Sequence, residues 1–247
     1  MIGFLDCTSG ISGDKLLGAL VDAGASPEAV RAAVAAVDPS VRIEFGRVVR
    51  GGVAGLAVHV SAQSEPPHRS WLEVRGLIES AGLPARVAER ALETFRLLAE
   101  AEAAVHDTTP DAVHFHEVGA IDSIADVVGA AAALDSLGIE TLVCGPVALG
   151  SGSVETAHGT LPVPAPATAL LLKGVPVEAG PAPGEATTPT GAALVRACAT
   201  SFGPLPAMTL AAVGHGAGTR DTPGSPNVAR VLLGTVTADV PDTSALA

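Results

Sequence analysis

Hydrophobic and polar positions along the chain follow two periods, which indicates that strands and helices interleave. Residues 2–5 form a short apolar run that ends at Asp6, and the run is predicted to be a buried strand. The apolar residues within 14–23 have helical spacing, and a glycine follows them, so residues 14–23 are predicted to form a helix. The next helix is predicted to open at residues 26–28, where a serine N-cap precedes a proline in the first turn.

The middle of the chain is predicted to contain a hairpin and then a helical region. Residues 41–49 and 56–60 alternate like strands on either side of a Gly-Gly pair, which is typical of a β-hairpin. Residues 63–69 are polar and contain proline, so they are predicted to form a loop. Two helices are predicted at residues 71–80 and 84–105, and the second of them carries one apolar face.

Shorter elements are predicted in the second half of the chain. Residues 150–166 are rich in Gly, Ser and Pro without a regular period, and a fixed loop of that length often lines a site. Residues 237–247 are predicted to be a tail or linker, which leaves residues 1–236 as a single large domain. The interleaving predicts the α/β class in a mixed α+β arrangement, with a mixed sheet flanked by helices. The remaining predicted helices span 124–137, 165–172 and 191–200, and the remaining predicted strands span 141–148, 208–213 and 228–236.

Composition and charge narrow the classes of function. The chain has 247 residues, of which 48% are hydrophobic and 2% aromatic, so the core must consist of Ala, Val and Leu. A net charge of −12 repels polyphosphate, so nucleic acid is not expected as a partner. The start lacks a signal peptide and no apolar run is long enough for a bilayer, which predicts a cytoplasmic protein without membrane contact. Three cysteines without a CxxC pair argue against a disulfide framework or a zinc ribbon.

Two histidines and three carboxylates crowd into residues 114–126 (HFHEVGAIDSIAD). If the segment around them is extended, His114 and His116 lie on one face. If a helix starts near residue 120, Asp122 and Asp126 also share a face. Converging imidazoles and carboxylates suit a borderline divalent ion such as Zn, Ni or Co. We therefore predict a metal site made of these four side chains. The alternative is that the histidines end a strand and the aspartates are solvated.

Three other segments offer backbone amides or hydroxyls to an anion. Residues 6–14 (DCTSGISGD) leave a strand and enter a helix, whose N-terminus favours negative charge. Residues 185–191 (EATTPTG) precede a helix, and residues 214–221 (GHGAGTRD) add glycines and an arginine. Each segment has an alternative interpretation. Residues 6–14 can be a tight connection capped by Ser12, residues 185–191 an ordinary N-cap followed by proline, and residues 214–221 a glycine-rich turn between two strands. The predicted cofactor-binding residues are Asp6, Ser9, Gly10, Ser12, Gly13, Asp14, Thr188, Thr190, Gly191 and Arg220.

Taken together, these segments resemble one protein family. The resemblance is to the nickel insertion proteins that make the nickel-pincer nucleotide cofactor of lactate racemase, the LarC family, and it covers residues 1–236. It implies a CTP-dependent cyclometallase of the lyase class. Such an enzyme inserts Ni into pyridinium-3,5-bisthiocarboxylic acid mononucleotide through two Ni–S bonds and one Ni–C bond, and CTP is cleaved to CMP and diphosphate with Mn or Mg present. The motifs that carry the resemblance, in order, are residues 4–14, 113–126, 150–167, 188–192 and 216–221.

The implied reaction needs a base for the proton of the pyridinium C–H bond. His158 lies between small residues in the predicted loop, where a ligand can reach it, although it can also be read as an exposed histidine of a structured surface loop. His116 and Glu117 lie in the predicted metal segment, and all three groups can accept a proton near neutral pH in a suitable environment. The catalytic candidates are therefore His116, Glu117 and His158.

The resemblance also implies a partner. Family members continue after the Pro-Asn-Val segment, here residues 226–228, into a domain that carries the CTP site, whereas only about twenty residues follow it here. A separate C-terminal CTP-binding subunit is therefore expected, together with the mononucleotide as substrate, and a homo-oligomer is allowed. The chain departs from the family pattern at Lys15, where methionine is usual, and at His215, where an aromatic residue is common.

Two other functions stay open at this point. The chain could be a nickel carrier that binds the metal and passes it on without forming a Ni–C bond. It could also be an unrelated metal-dependent phosphohydrolase, which would cleave phosphoesters with Zn or Mn and would not act on the pyridinium substrate.

Overall fold

A computed structural model describes residues 1–62, 69–115, 121–156, 159–221 and 226–236. The helices are α1 (Gly13–Asp22), α2 (Pro27–Val37), α3 (Trp71–Ser80), α4 (Ala85–Val105), α5 (Ile121–Ser136), α6 (Pro166–Leu171) and α7 (Pro189–Cys198). The strands are β1 (Ile2–Cys7), β2 (Val41–Arg50), β3 (Val53–Ala62), β4 (Arg69–Ser70), β5 (His114–Phe115), β6 (Thr141–Ala148), β7 (Gly150–Ser151), β8 (Ser153–Thr156), β9 (Gly159–Pro162), β10 (Val177–Glu178), β11 (Gly184–Glu185), β12 (Ser201–Phe202), β13 (Met208–Ala217) and β14 (Val228–Val236).

The main sheet is mixed, with the strand order β10-β6-β1-β14-β13-β3-β2, and β12 also pairs with β6. β1 runs parallel to β6 and antiparallel to β14, while β13 is antiparallel to β14 and parallel to β3. Helices pack against this sheet, with α1 lying on β13, β14 and β3. The predicted mixed α/β class is therefore confirmed.

Alanine and branched aliphatic side chains fill the core, as the composition predicted. α5 is buried along most of its length, and it packs against α1, α2 and α4. Phe95 and Phe115 provide an aromatic contact in this core, with ring centroids 6.1 Å apart. Each fully buried aliphatic or aromatic side chain contributes about 1.5–3 kcal/mol, so this helical layer holds the sheet and the start of α5 in fixed relative positions.

Glycines let α1 lie directly on the backbone of the sheet. A Cβ atom added to Gly216 would lie 1.7 Å from the carbonyl oxygen of Lys15, and one added to Gly214 would lie 2.0 Å from that of Ala19. Anion binding by residues 214–221 stays a prediction, but a turn is wrong for residues 214–217, because they belong to β13. Their glycines serve the helix–sheet contact, which fixes the N-terminus of α1.

Several predicted motifs meet at one edge of the sheet. Because β1 and β13 both run antiparallel to β14 and β6 runs parallel to β1, the carboxyl ends of β1, β6 and β13 lie at the same edge as the start of β14. Ligands of open α/β sheets usually bind beyond the carboxyl ends of the strands. Residues 8–12, 149–152 and 218–221 leave the sheet at this edge, so the edge is where a site is expected.

The predicted loop at residues 150–166 contains regular structure instead. β8 and β9 form an antiparallel pair from Ser153↔Pro162 to Thr156↔Gly159, and β7 pairs with β11. Gly, Ser and Pro give no alternation of polar and apolar side chains, so the sequence pattern could not reveal the pairing. The second pairing brings Gly150 opposite Glu185 and thereby joins two of the predicted motifs.

Most other elements are confirmed with ends that shift by a few residues. The hairpin of β2 and β3 turns at Gly51 and Gly52, which both have positive φ. The tail predicted at residues 237–247 and most of the loop predicted at residues 63–69 lie outside the described residues. None of the helices in the described ranges combines the length and the hydrophobicity that crossing a bilayer requires.

Candidate functional site

The first turn of α1 lies at the centre of the candidate site. Ser12 is the N-cap residue, but its side chain makes no capping hydrogen bond, so the cap predicted in the alternative for residues 6–14 is wrong. Its hydroxyl instead donates a hydrogen bond to Oδ1 of Asp14, which also accepts the backbone N–H of Lys15 at 2.8 Å. The Asp14 carboxylate is therefore held at the helix N-terminus, where the helix dipole favours a negative charge.

Asp126 faces this turn from α5. A Cβ atom on Gly13 would lie 2.6 Å from Cβ of Asp126 and 2.7 Å from its Oδ2, so only glycine leaves room for this carboxyl. The backbone N–H of Asp14 donates a hydrogen bond to it. Oδ1 of Asp126 is buried and has no hydrogen-bond partner within the described ranges. Buried polar atoms without a partner are rare, so this oxygen marks a place where a proton or a cation is expected.

The electrostatics of Asp126 support this interpretation. Burial raises the pKa of Asp126 well above its usual value, and the charges of Asp14 and Asp122 raise it further, against the hydrogen bond from Asp14. Asp122 lies one helical turn before Asp126, which confirms the shared face, although Asp122 is exposed. A divalent cation would offset these like charges, and it would replace the proton on Asp126.

His114 lies on β5, where it is exposed opposite Ser70. The neighbouring Ser70 caps α3, where the carboxylate of Glu73 accepts its backbone N–H at 2.7 Å. His116 and Glu117 lie outside the described residues, as does His158. Among the side chains that the structure describes, no group of three or more His, Cys, Asp or Glu residues is arranged to hold a metal ion. The site of His114, His116, Asp122 and Asp126 therefore stays a prediction.

Several amides of the predicted anion loop are already used within the chain. The N–H groups of Thr8, Gly10 and Ile11 all donate hydrogen bonds to the protein. Gly10 has φ +74°, and a Cβ atom there would lie 2.0 Å from the carbonyl oxygen of Ala186. The loop therefore packs tightly against the segment before α7. Anion binding by Ser9, Gly10, Ser12 and Gly13 stays a prediction, with fewer amides available for it.

Residues 185–191 contain the N-cap of α7, which agrees with one of the two interpretations of this segment. Oγ1 of Thr188 accepts the N–H of Gly191 at 3.1 Å, and Pro189 takes the first helical position. Gly191 is buried, and a Cβ atom there would lie 2.2 Å from the carbonyl oxygen of Ile11. Thr190 is buried as well. Anion binding by these residues stays a prediction.

Two other predicted binding residues hold the edge of the sheet together. Asp6 accepts hydrogen bonds from Arg230, with Nη2 2.5 Å from Oδ2, and from Thr8. Burial raises the pKa of Asp6, but these hydrogen bonds outweigh burial and the net effect lowers it. Arg220 is exposed, and its guanidinium donates to the carbonyl oxygen of Glu185. Arg220 is thus the predicted binding residue that presents a cation to solvent at this edge.

Lys15 connects three segments of the candidate site. Its side chain is buried, and Nζ donates to the carbonyl oxygens of Ser9 at 3.1 Å and Ala186 at 3.2 Å and to Oδ1 of Asn227 at 3.2 Å. It therefore joins the loop after β1, the segment before α7 and the start of β14. A signal was present in the sequence, because Lys15 and Lys173 are the only lysines and Lys15 stands among the apolar residues of α1.

The stability of the protein is expected to depend on the charge of Lys15. Burial lowers the pKa of Lys15 to about 8, against the opposing charge of Asp14, whereas the unfolded value is 10.5. Between these values the unfolded chain holds a proton that the folded chain has lost, so stability should rise with pH. Urea midpoints measured from pH 7 to pH 10 should rise less for Lys15→Met than for the wild type. Lys173→Met, at an exposed position, should keep the wild-type slope, and an unchanged slope in Lys15→Met would contradict the assignment.

A crevice opens beside these three segments. Its volume is about 30 Å³, and its lining includes Ser9, Glu185, Ala186, Arg220 and Asn227. That volume admits about one or two water molecules, whereas pockets for small ligands measure roughly 300–1,000 Å³. The crevice is therefore too small to be the pocket for a mononucleotide.

The cysteines belong to the core rather than to a metal centre. Sγ of Cys7 lies 3.8 Å from Sγ of Cys144, and both residues are fully buried. The hydrogen bond with Cys144 and burial raise the pKa of Cys7 well above its usual value, so the group is a thiol at neutral pH. Cys198 is partly buried.

Comparison with known proteins agrees with the motifs. The sequence model of the family described as "Nickel insertion protein" matches residues 4–246. The chain is 52% identical over 232 residues to the pyridinium-3,5-bisthiocarboxylic acid mononucleotide nickel insertion protein of Nocardioides sp. (strain ATCC BAA-499 / JS614), covering 94% of this chain and 59% of the relative. It is 49% identical over 240 residues to a putative nickel insertion protein of Geotalea uraniireducens (strain Rf4), covering 96% and 62%.

The chain spans about three fifths of the length of the curated relatives it matches. No solved structure matches it. The match to the family covers almost the whole chain, and about half of the aligned residues are identical to those of the relatives. The resemblance inferred from the five motifs is confirmed, and the chain belongs to the nickel insertion protein family.

Proposed function

We propose that this chain handles nickel and substrate in the insertion of nickel into pyridinium-3,5-bisthiocarboxylic acid mononucleotide, which forms the nickel-pincer nucleotide cofactor. The name of the Nocardioides relative supports the reaction. The observation in the structure that carries the proposal is Oδ1 of Asp126, a buried carboxyl oxygen without a partner in the described ranges, in the same segment as His114 and His116. Nickel is a substrate of this reaction and not a resident cofactor.

The proposed nickel ligands are His114, His116, Asp122 and Asp126. Imidazole nitrogen and carboxylate oxygen both suit Ni²⁺, and neither donor is as soft as the thiolates that would hold the ion more permanently. A metal that has to be passed to two sulfur atoms and one carbon atom of the substrate should be held by ligands that it can exchange. The donor set therefore fits a site that loads nickel and then releases it.

The proposed base accepts the proton that the pyridinium ring loses when its C–H bond gives way to the Ni–C bond. His116, Glu117 and His158 are the proposed candidates, since each titrates in a range that enzymes can tune to neutrality. The phosphate of the mononucleotide is proposed to bind near the edge of the sheet. The residues proposed for this contact are Asp6, Ser9, Gly10, Ser12, Gly13, Asp14, Thr188, Thr190, Gly191 and Arg220, where the carboxylates would act through a bound cation.

CTP cleavage with Mn or Mg is proposed to take place in a separate CTP-binding region. The matched part makes up about three fifths of the relatives, and the remaining part is the proposed location of the CTP step. Within the described ranges, basic side chains that could bind a triphosphate are few at the candidate edge, where Arg220 is exposed and Lys15 is buried. No step of the CTP reaction is therefore assigned to the residues of this chain.

The proposal is tested by incubating the chain with Ni²⁺, Mg²⁺ or Mn²⁺, CTP and the mononucleotide. The separately expressed remaining part of the Nocardioides relative is added in one arm and left out in the other. The absorbance of the nickel-pincer cofactor and the release of CMP should appear only when both parts are present. Turnover by this chain alone would contradict the assignment of the CTP step.

Two outcomes of the same assay would overturn the insertion function. Nickel binding without product, even with the relative's remaining part and an active full-length relative as positive control, would indicate a carrier. Hydrolysis of a phosphoester with Zn²⁺ or Mn²⁺, together with no action on the pyridinium substrate, would indicate a phosphohydrolase.

A further inference from the structure

Two carboxylates from different motifs lie together at the edge of the sheet. Asp14 belongs to the loop and helix after β1, and Asp126 belongs to α5. The N–H of Asp14 nevertheless donates a hydrogen bond to the Asp126 carboxyl, and the charge of Asp14 raises the pKa of Asp126. The glycine at position 13 is what allows this approach. From the sequence, these residues were predicted to belong to two separate sites, one for an anion and one for a metal.

We propose that Asp14 is a further ligand of the nickel ion, so that the ion bridges the N-terminus of α1 and the Asp126 carboxylate of α5. The proposal rests on the proposed function, because the ion is the nickel that this family inserts. With this ligand, the segments 6–14 and 114–126 both contribute to one metal site.

The hydrogen-bond partners of Asp14 leave one carboxylate oxygen for a metal. Oδ1 accepts the hydroxyl of Ser12 and the N–H of Lys15, which fixes the plane of the carboxylate. Oδ2 makes no hydrogen bond or ion pair within the described ranges. Asp14 is half-buried, so the pair can be reached from solvent on its side.

The Asp126 carboxyl needs a positive partner that the described part of the chain does not supply. Its Oδ1 has no hydrogen-bond partner there, and the ion pairs of these residues do not include it. Lys15, which follows Asp14 in α1, directs its Nζ to three other oxygen atoms. Buried carboxylates are normally paired or bound to a metal, and two neighbouring carboxylates with one unused oxygen each are a suitable pair of ligands for a divalent ion.

The test is a calorimetric titration of the full chain with NiCl₂ in the wild type and in Asp14→Asn. Asparagine keeps an oxygen for Ser12 and for the N–H of Lys15, so the fold should be preserved, and thermal melting followed by circular dichroism checks this. Nickel affinity is expected to fall about tenfold or more, and the d–d absorption bands of bound Ni²⁺ should shift because one oxygen ligand is lost. Asp107→Asn is the matched control, since Asp107 is exposed and should leave both readouts unchanged.

The outcomes separate this inference from the proposed function. Unchanged affinity and unchanged d–d bands in Asp14→Asn, while a His114→Ala/His116→Ala variant loses nickel, would overturn the role of Asp14 and leave the proposed function intact. A rise in the melting temperature of Asp14→Asn without any effect on nickel would also overturn it, because Asp14 would then be only a like-charged neighbour. If Asp14→Asn does not fold, Asp14→Ser is used, which still offers a side-chain oxygen at the helix N-terminus.

Discussion

Gly216→Ala is expected to destabilise the protein by about 3 kcal/mol or more, the upper range for forcing an atom into a packed contact. A Cβ atom at this position would lie 1.7 Å from the carbonyl oxygen of Lys15 and 2.5 Å from the backbone nitrogen of Ala19, and neither backbone group can move without shifting α1. Because α1 carries Asp14 and Lys15, the substitution should disturb the candidate site as well as the fold.

Urea unfolding followed by circular dichroism measures this effect. Gly46→Ala is the matched control, because Gly46 also lies in a strand and the atoms nearest to an added Cβ atom are 4.0 Å away, in the ring of His59. The control should unfold at or above the wild-type midpoint, since alanine costs less conformational entropy than glycine in a strand. Equal stability of Gly216→Ala and the wild type would show that α1 does not lie on the sheet as closely as the structure indicates.

Asp126→Asn is expected to have two effects of opposite sign. Burial and the neighbouring carboxylates raise the pKa of Asp126, so between the unfolded value of 3.8 and the folded value the folded chain holds a proton that the unfolded chain lacks. Stability from this group therefore falls as the pH rises through that window. Asparagine removes this cost and should raise the melting temperature of the metal-free protein by a few degrees, equivalent to about 1–2 kcal/mol. The same substitution should lower nickel affinity roughly hundredfold, which corresponds to about 2.7 kcal/mol.

Melting curves without metal at pH 5 and pH 8, and nickel titrations at pH 8, test both effects. The difference in melting temperature between Asp126→Asn and the wild type should be larger at pH 8 than at pH 5. Asp107→Asn should show neither effect, because Asp107 is exposed. A variant that binds nickel as tightly as the wild type would remove Asp126 from the metal site.

Local signals in the sequence predicted the elements of the fold well. α2 begins at Pro27 after the Ser26 cap, as the cap and proline pattern predicted. α7 begins at Pro189 after the Thr188 cap, two residues before its predicted start and in agreement with the N-cap interpretation. Such signals act over three or four residues, so they can be read without knowledge of the rest of the chain. The alternation in β2 and β3 across Gly51 and Gly52 was predictable for the same reason.

Contacts between distant segments were not predictable from these signals. Gly214 and Gly216 lie in a segment whose composition is that of a phosphate loop. Glycine is required at these positions because they contact the backbone of α1, which lies about two hundred residues earlier in the chain. The approach of Asp14 to Asp126 and the three hydrogen bonds of Lys15 depend in the same way on the order of strands in the sheet. The motifs were therefore found, whereas the way in which they combine was not.

Nickel binding by this chain at the histidine and aspartate segment is tested most directly by a calorimetric nickel titration. The wild type is expected to bind one Ni²⁺ ion with about micromolar or tighter affinity, and His114→Ala/His116→Ala is expected to lose this site. A His59→Ala/His106→Ala variant removes two exposed histidines elsewhere and should bind nickel like the wild type. Unchanged stoichiometry and affinity in the His114→Ala/His116→Ala variant would contradict nickel binding at this segment.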